Sequence, residues 1–298
     1  MMLTTICAIR SLFQSRSTGK ERDASTTYDY TRESCGFMKH LSLFLCLALL
    51  SITTIAAAQP KQNDALQSST QMVVVTTADW SAVEGVLMRY ERARAGKRWK
   101  QLGDPVTVVV GNKGMGWGVG ALPIDNSRNR LDPVKKEGDG KSPAGAFALS
   151  TAFGYSPQAA PAWKMPYIAL TPSVECVDDS ASRFYNRVLD RSTVAPDWHS
   201  SEQMRRSDDA YRVGLVVAHN DPPAPGGGSC IFLHIWSGRG QGTAGCTAMQ
   251  REHLETILAW LDPARSPMLV QLPLAQYKKL RRHWHLPKLP KPSCTEAA

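Results

Sequence analysis

The sequence lacks the closely spaced ligand motifs on which most zinc sites are built. Neither Cys-x-x-Cys nor His-Glu-x-x-His occurs in its 298 residues, although such motifs are typical of zinc-binding proteins. A zinc site assembled from separate positions is a weaker alternative, and its ligands would be His219, Cys230, His234 and Cys246. The sequence therefore predicts neither a metal ion nor another cofactor.

Signatures of nucleotide and nucleic-acid binding are also missing. The glycine-rich segment Gly111–Gly120 does not have the spacing of a dinucleotide-binding fingerprint, so we interpret it as turns and bulges. No basic stripe with interleaved aromatic residues accompanies the formal net charge of +9, which argues against nucleic acid as a partner. An anionic cell-wall polymer or membrane surface fits a basic exported protein better.

The apolar run Leu41–Ile55 is shorter than the roughly 20 residues that a transmembrane helix needs. It follows the basic segment Met38–His40 and precedes three alanines that end at Ala58. This order is typical of a secretory signal peptide. We therefore predict cleavage after Ala58 and an exported mature chain, in the periplasm or cell envelope, without a membrane span. An uncleaved N-terminal anchor is the alternative, and residues 1–37 could precede the true start.

Composition divides the chain after this upstream segment and signal peptide (1–58) into three parts. Residues 59–76 are predicted to form a linker, 77–275 a single domain and 276–298 a basic, proline-containing tail. Short apolar runs between proline and glycine clusters predict a mainly β domain. The predicted strands are 106–110, 145–150, 166–170, 211–218, 230–235 and 267–272.

Two segments have the spacing of amphipathic helices. After a capping Asp79, apolar residues recur at steps of three and four from Trp80 to Tyr90. A second helix is predicted over 250–261, where Pro263 follows the last apolar position. If the second helix pointed its N-terminus at Cys246, its dipole would lower the pKa of that thiol.

A base and a nucleophile lie in one segment, from Cys230 to Met249. An apolar run leads into His234, a glycine-rich loop follows, and Cys246 comes directly after Gly245. A thiol with an ordinary pKa of about 8.5 is mostly protonated at neutral pH, so an imidazole that accepts its proton would generate the nucleophile. Gly245 would let backbone N–H groups approach a substrate oxygen, as an oxyanion hole requires.

Two stretches resemble the L,D-transpeptidase catalytic domain (YkuD) family. The family signature, a histidine followed at loop distance by Ser/Thr-His-Gly-Cys, is matched by His234, Thr243, Gly245 and Cys246. Upstream, EGDGKSPAGAF at 137–147 resembles the family segment Gly-x-Thr-Pro-x-Gly-x-Phe, with Ser142 in place of threonine. The histidine before Gly-Cys is Ala244 here, as in a divergent branch of the family.

The resemblance implies a β-sandwich-like catalytic domain with a few flanking helices. It also implies an exported cysteine acyltransferase that acts on peptidoglycan stem peptides in cell-wall cross-linking or remodelling. Cys246 would attack a carbonyl next to a D-amino acid, His234 would be the base, held by a backbone carbonyl near Ile235, and N–H groups at Gly245 and Cys246 would hold the oxyanion.

Alternatives to a transpeptidase remain open. With water as the acceptor, the same chemistry would be that of an L,D-carboxypeptidase or endopeptidase. A catalytically silent wall-binding module is supported only by Ala244. A papain-like peptidase is disfavoured, because its cysteine normally precedes its histidine in the chain.

Three further residues are candidates for substrate binding. Thr243 carries a hydroxyl two positions before Gly245, and His219 ends another predicted strand, which also makes it the nearest rival to His234 as the base. Arg183 belongs to a polar cluster after Cys176 that could contact a peptide. A solvated loop explains that cluster equally well.

The cysteines after residue 58 lie in a compartment that permits disulfides. A nucleophilic Cys246 must stay unpaired, and Cys294 lies in the tail. Cys176 and Cys230 therefore form the most economical pair. Two buried free thiols are an equally good interpretation of these two positions.

Overall fold

The computed structural model describes residues 64–122 and 128–290. Within them the chain is mainly β with a few flanking helices, as predicted. The predicted signal peptide, the start of the predicted linker and the end of the predicted tail lie outside the described residues. No helix of the described part is both long enough and apolar enough to cross a membrane.

The described part contains thirteen strands and three α-helices. The strands are β1 (Gln71–Thr77), β2 (Glu84–Glu91), β3 (Lys100–Val109), β4 (Met115–Trp117), β5 (Ser142–Gly154), β6 (Tyr167–Ala169), β7 (Val174–Val177), β8 (Val188–Asp190), β9 (Ser201–Gln203), β10 (Val213–Val217), β11 (Phe232–Ile235), β12 (Thr247–Met249) and β13 (Met268–Pro273). The helices are α1 (Asp64–Ser68), α2 (Arg251–Trp260) and α3 (Leu274–Leu280).

The main sheet closes on itself. Eight strands follow one another in the order β10, β11, β12, β3, β2, β1, β13 and β5, and β5 also pairs with β10. Each of these strands therefore has a neighbour on both sides, which satisfies the backbone groups that a free edge would leave open. Strands β4 and β6 add to β5 outside this ring. The eight strands therefore form one closed sheet and not two separate ones.

Strand β1 shows that the domain begins before residue 77. All seven residues of β1 are buried, and the strand pairs with β2 along its whole length and with β13 from Met72 to Thr77. The sequence-based boundary, which assigned residues 59–76 to a linker, is therefore wrong for 64–76. The valines of this strand have the β-branched side chains that suit a strand buried on both faces.

The helix predicted after Asp79 is also wrong. Asp79 does act as a cap, because its Oδ1 accepts hydrogen bonds from the N–H groups of Ser81 and Ala82, but it caps a turn. The following residues form strand β2, which lies between β1 and β3. Pairing on both sides prevails over the helical spacing from Trp80 to Tyr90, because local propensity is a weak determinant beside tertiary contacts.

The chain after residue 275 belongs to the domain at least as far as 290. Helix α3 packs against the sheet through Tyr277 and Leu280, and Trp284 and Leu286 beyond it are buried in the same core. The Tyr277 hydroxyl donates to the Pro287 carbonyl at 2.9 Å. A peripheral tail is therefore the wrong description of 276–290. By contrast, the predicted helix over 250–261 is confirmed by α2, whose Leu254, Ile257 and Leu258 are buried.

A small second sheet has the strand order β8, β7, β9. The disulfide between Cys176 of β7 and Cys230, just before β11, ties the two sheets together. A second apolar cluster lies at this junction and includes Phe153, Leu170, Met204, Tyr211 and Phe232. This sheet was not predicted, because its strands are only three or four residues long.

Replacing both Cys176 and Cys230 by serine should lower the free energy of unfolding. The bond closes a loop with a sequence separation of 54, for which chain-entropy estimates give on the order of 4 kcal/mol. Denaturant unfolding of the oxidised wild-type protein and the double variant measures the loss. Reductant should destabilise the wild-type protein and leave the variant unchanged; an equal effect on both would contradict the prediction.

Candidate active site

Neighbouring parallel strands deliver the predicted base and nucleophile to one place. His234 lies on β11 in register with Ala248 of β12, and Cys246 directly precedes β12. Both side chains line a cavity of about 570 Å³. The strand pairing therefore brings together two residues that the intervening glycine-rich loop separates in sequence.

The Cys246 thiol is buried and bonded within the protein. Its Sγ accepts a hydrogen bond from the Phe232 N–H at 3.3 Å and donates to the Cys230 carbonyl at 3.4 Å. The side chain of Cys246 remains in contact with the cavity, although the residue is only 7% exposed. The disulfide partner Cys230 therefore also supplies a backbone contact to the nucleophile.

His234 is oriented by a backbone carbonyl, as expected. Its Nδ1 lies 2.8 Å from the carbonyl oxygen of Ile235, which favours the tautomer that donates from Nδ1 and leaves Nε2 as an acceptor. The ring of Tyr211 packs edge-on against the imidazole, with centroids 5.3 Å apart. Within the described part of the chain, no hydrogen bond joins the imidazole directly to the Cys246 thiol.

Burial keeps both groups neutral in the free protein. It lowers the pKa of His234 to about 4 and raises the pKa of Cys246 to about 12, with the charge of Glu202 raising the latter further. Strand β12 separates the thiol from helix α2, so the thiol does not lie at the start of that helix. The lowered thiol pKa expected from the helix is therefore not found.

The two family-like motifs meet at the nucleophile through Ser142. Its fully buried hydroxyl donates to the Cys246 carbonyl at 2.8 Å and accepts from the Gly111 N–H at 2.8 Å. A serine at the start of β5 thus joins the nucleophile to the loop after β3. This contact explains physically why a hydroxyl residue occupies the position.

Thr243 holds the loop before the nucleophile. Its hydroxyl donates to the Cys246 carbonyl at 2.6 Å and accepts from the Gly245 N–H at 3.0 Å. The Gly245 N–H must therefore leave Thr243 if it is to hold an oxyanion. A Cβ on Gly245 would lie 3.2 Å from the Lys141 carbonyl oxygen, which is a tight contact. Ala244 is exposed and lines the cavity.

Two of the predicted substrate-binding residues do not line the cavity. His219 is 1% exposed, and its two ring nitrogens lie 3.1 and 3.0 Å from the carbonyls of Val119 and Gly227. Burial lowers the pKa of His219 to about 4. Arg183 extends elsewhere and pairs with Asp197 at 3.3 Å. Both residues stabilise loops, and neither is placed to contact a ligand beside Cys246.

The small sheet and the segment after it supply the opposite wall of the cavity. Apart from Asp178, which belongs to the polar cluster after Cys176, none of the polar residues of this wall was predicted as a site residue. Residues of short strands and loops that match no motif give no local signal. The residues concerned are Asp178, Ser201, Glu202, Arg206, Asp208 and Tyr211. Arg206 forms a two-pronged ion pair with Asp208, with N···O distances of 2.8 and 2.7 Å.

A larger hollow of about 940 Å³ lies between residues 92–99 and 281–286. It is lined by basic side chains such as Lys97, Arg98 and Arg282, and it contains no cysteine. Size alone therefore does not identify the reactive site. The smaller cavity is the candidate, because it combines a thiol with an oriented imidazole.

The chain matches no family model, no curated protein and no solved structure. The resemblance to the L,D-transpeptidase family therefore stays a prediction from the two sequence motifs.

In the free protein, Cys246 should react slowly with iodoacetamide at pH 7. Because burial raises the thiol pKa to about 12, the thiolate fraction and the rate should rise roughly tenfold per pH unit through the alkaline range. Peptide mapping of the labelled protein follows this residue separately from the other cysteines. A rate that already reaches a plateau below pH 8 would contradict the prediction.

Replacing Ser142 by alanine should destabilise the protein and loosen the nucleophile. The change leaves the buried Gly111 N–H without its hydroxyl acceptor, which costs about 1–3 kcal/mol of unfolding free energy. Ser150→Ala, at an exposed position of the same strand, is the matched control. Denaturant unfolding compares the two variants. Equal stability would show that the hydrogen bonds of Ser142 do not stabilise the protein.

Proposed function

We propose that the protein is an exported cysteine acyltransferase of the L,D-transpeptidase type that acts on peptidoglycan stem peptides. The observation that carries the proposal is the delivery of Cys246 and a carbonyl-oriented His234 to one cavity by paired strands. A thiol and an imidazole with an acceptor Nε2 are the parts that covalent acyl transfer requires. The two sequence motifs support the same class.

The first half-reaction forms a thioester. His234 Nε2 takes the proton from Cys246 as Sγ attacks the peptide carbonyl, and a tetrahedral oxyanion results. Collapse of this intermediate breaks the C–N bond, and His234 returns the proton to the departing amine. The backbone N–H groups at Gly245 and Cys246 would stabilise the oxyanion, once Gly245 has left the Thr243 hydroxyl.

The second half-reaction consumes the thioester. An acceptor amine attacks the acyl carbon, loses a proton to His234 Nε2, and forms a new amide while Cys246 leaves as the thiol. Water in place of the amine yields a carboxylic acid, which would make the enzyme a carboxypeptidase or endopeptidase. Both outcomes share one acyl-enzyme, so the identity of the acceptor distinguishes them.

Proton transfer requires the Cys246 thiol and the His234 imidazole to come closer together than they are in the free protein. The thiol donates to the Cys230 carbonyl at 3.4 Å and rests protonated. Catalytic hydrogen bonds are often long or absent before substrate binds and tighten in the complex. A bound peptide that displaces the Cys230 contact would release the thiol toward His234.

A catalytically silent wall-binding module is the second candidate. The neutral thiol and the lack of a direct bond to His234 in the described structure favour it. A thiol probe on the free protein does not separate the two candidates, since a buried, protonated cysteine is expected for both. Turnover of a peptide substrate does separate them.

The test is incubation with purified muropeptides and identification of the products by mass spectrometry. Cross-linked dimers indicate transfer, shortened stems indicate hydrolysis, and binding without either product indicates the silent module. Cys246→Ala should abolish products while the fold is kept.

His234→Ala should slow product formation by roughly 10²-fold or more, the usual contribution of a general base. His219→Ala is the control, because His219 is a more deeply buried histidine that does not line the cavity. The rates are compared only for variants with native circular dichroism. A severe loss with His219→Ala and none with His234→Ala would reverse the assignment of the base.

A further inference from the structure

A buried ammonium group lines the same cavity as the nucleophile. It belongs to Lys135, whose side chain is only 3% exposed. Its Nζ donates hydrogen bonds to the Asp139 carboxylate and to the Lys136 carbonyl, each at 2.7 Å. Neither partner lines the cavity. Both therefore hold the ammonium from behind the cavity wall.

Two glycines let this side chain reach the turn before the nucleophile. A Cβ on Gly228 would lie 3.1 Å from Cε of Lys135 and 3.4 Å from its Cγ, so the aliphatic part of the side chain packs closely over that glycine. A Cβ on Gly245 would lie 3.7 Å from Lys135 Nζ. The ammonium is therefore next to the residue that directly precedes Cys246 in the chain.

The Lys135 ammonium keeps one donor in reserve. An ammonium has three N–H groups, and the described part of the chain supplies hydrogen-bond acceptors for two of them. Bonds around the nitrogen are tetrahedral, so the third N–H points away from Asp139 and Lys136. An unused donor on a buried cation favours an anionic ligand, because charge-assisted hydrogen bonds are the strong ones.

The second cation among the residues that line the cavity is already neutralised. Arg206 donates to both carboxylate oxygens of Asp208, at 2.8 and 2.7 Å, and its third nitrogen lies 3.5 Å from Glu202. Its guanidinium therefore has little capacity left for a further anion. Lys135 is the cation of this cavity that can still accept one.

The carboxylates of the cavity restrict where an anion can bind. Three of them belong to the opposite wall, namely Asp178, Glu202 and Asp208. A fourth, Glu137, accepts hydrogen bonds from the hydroxyls of Tyr185 and Ser229. Like charges repel a ligand carboxylate from the opposite wall. The wall that carries Lys135 and Gly245 is therefore the one that attracts it.

We propose that Lys135 forms a carboxylate-binding subsite, which takes the free carboxylate of a peptide bound beside Cys246. The inference rests on the proposed acyltransferase and adds a substrate feature to it, a carboxylate close to the carbonyl that Cys246 attacks. The third N–H of Lys135 donates to this carboxylate. A ligand with an amide in the same place lacks the charge and binds more weakly.

The test compares the alkylation of Cys246 by iodoacetate and by iodoacetamide in the full-length protein. Both reagents form an S–C bond and release iodide, and both consume the same thiolate, so the thiolate fraction cancels from the ratio of their rates. Lys135→Met removes the ammonium and keeps an unbranched side chain over Gly228. It should lower the iodoacetate-to-iodoacetamide ratio at least about fivefold, because a hydrogen bond to a charged group is lost. Peptide mapping separates Cys246 from the other cysteines.

Lys136→Met is the matched control. It removes the same charge from the next residue, which is exposed and does not line the cavity, and it should leave the ratio unchanged. An unchanged ratio in Lys135→Met overturns the proposal. Equal falls in the two variants also overturn it, because the general charge of the surface would then account for the preference.

A measurement on the wild-type protein decides the proposal if Lys135→Met does not fold. N-acetyl-D-alanine should protect Cys246 from iodoacetamide at a concentration at least about fivefold lower than its amide does; equal protection, or none, overturns the proposal. These measurements need no turnover. A preference for the acid without any product from muropeptides would refute the proposed function alone, and products without that preference would refute the subsite alone.

Discussion

The parallel pairing of β11 with β12 is the constraint on which the site depends. It places the His234 imidazole and the Cys246 thiol at adjacent strands of the sheet. The other contacts of the site adjust the positions of these two groups. Ser142 and Thr243 both hold the Cys246 carbonyl, from β5 and from the preceding loop respectively. The closed main sheet in turn holds β5, because β5 pairs with both β13 and β10.

Burial imposes the main electrostatic cost at this site. Desolvation opposes the charged form of both reacting groups, so the free protein holds a neutral imidazole and a neutral thiol. The same low-polarity surroundings strengthen any hydrogen bond or charge that reaches the thiolate. Such a site stays unreactive until a bound ligand changes the contacts of the thiol, which in the free protein are the Phe232 N–H and the Cys230 carbonyl.

The features that the sequence predicted are those with a local cause. The mainly β fold and helix α2 follow from apolar spacing, and the position of His234 before a glycine-rich return to Cys246 follows from the motif. Strand β1 was assigned to a linker because polar residues precede it in the sequence. Its apolar residues are nevertheless buried on both faces of the sheet. The helical spacing from Trp80 to Tyr90 was coincidental, since tertiary pairing made the segment a turn followed by a strand.

The opposite wall of the cavity could not be predicted from local patterns. Glu202 and Tyr211 lie on a three-residue strand and a short turn, and they reach the site only because the Cys176–Cys230 disulfide and the second apolar cluster dock the small sheet there. The bond between Ser142 and Cys246 likewise spans 104 positions of sequence. Long-range contacts of this kind leave no periodicity in the chain.

The proposed acyl transfer requires Cys246 to form a covalent acyl-enzyme. The most direct measurement is rapid acid quenching of the protein with a stem-peptide substrate, followed by intact-mass analysis and peptide mapping. We expect a thioester adduct on the peptide that contains Cys246, which hydroxylamine removes and which Cys246→Ala lacks. A folded wild-type protein that converts or binds the substrate without any adduct at Cys246 would contradict it.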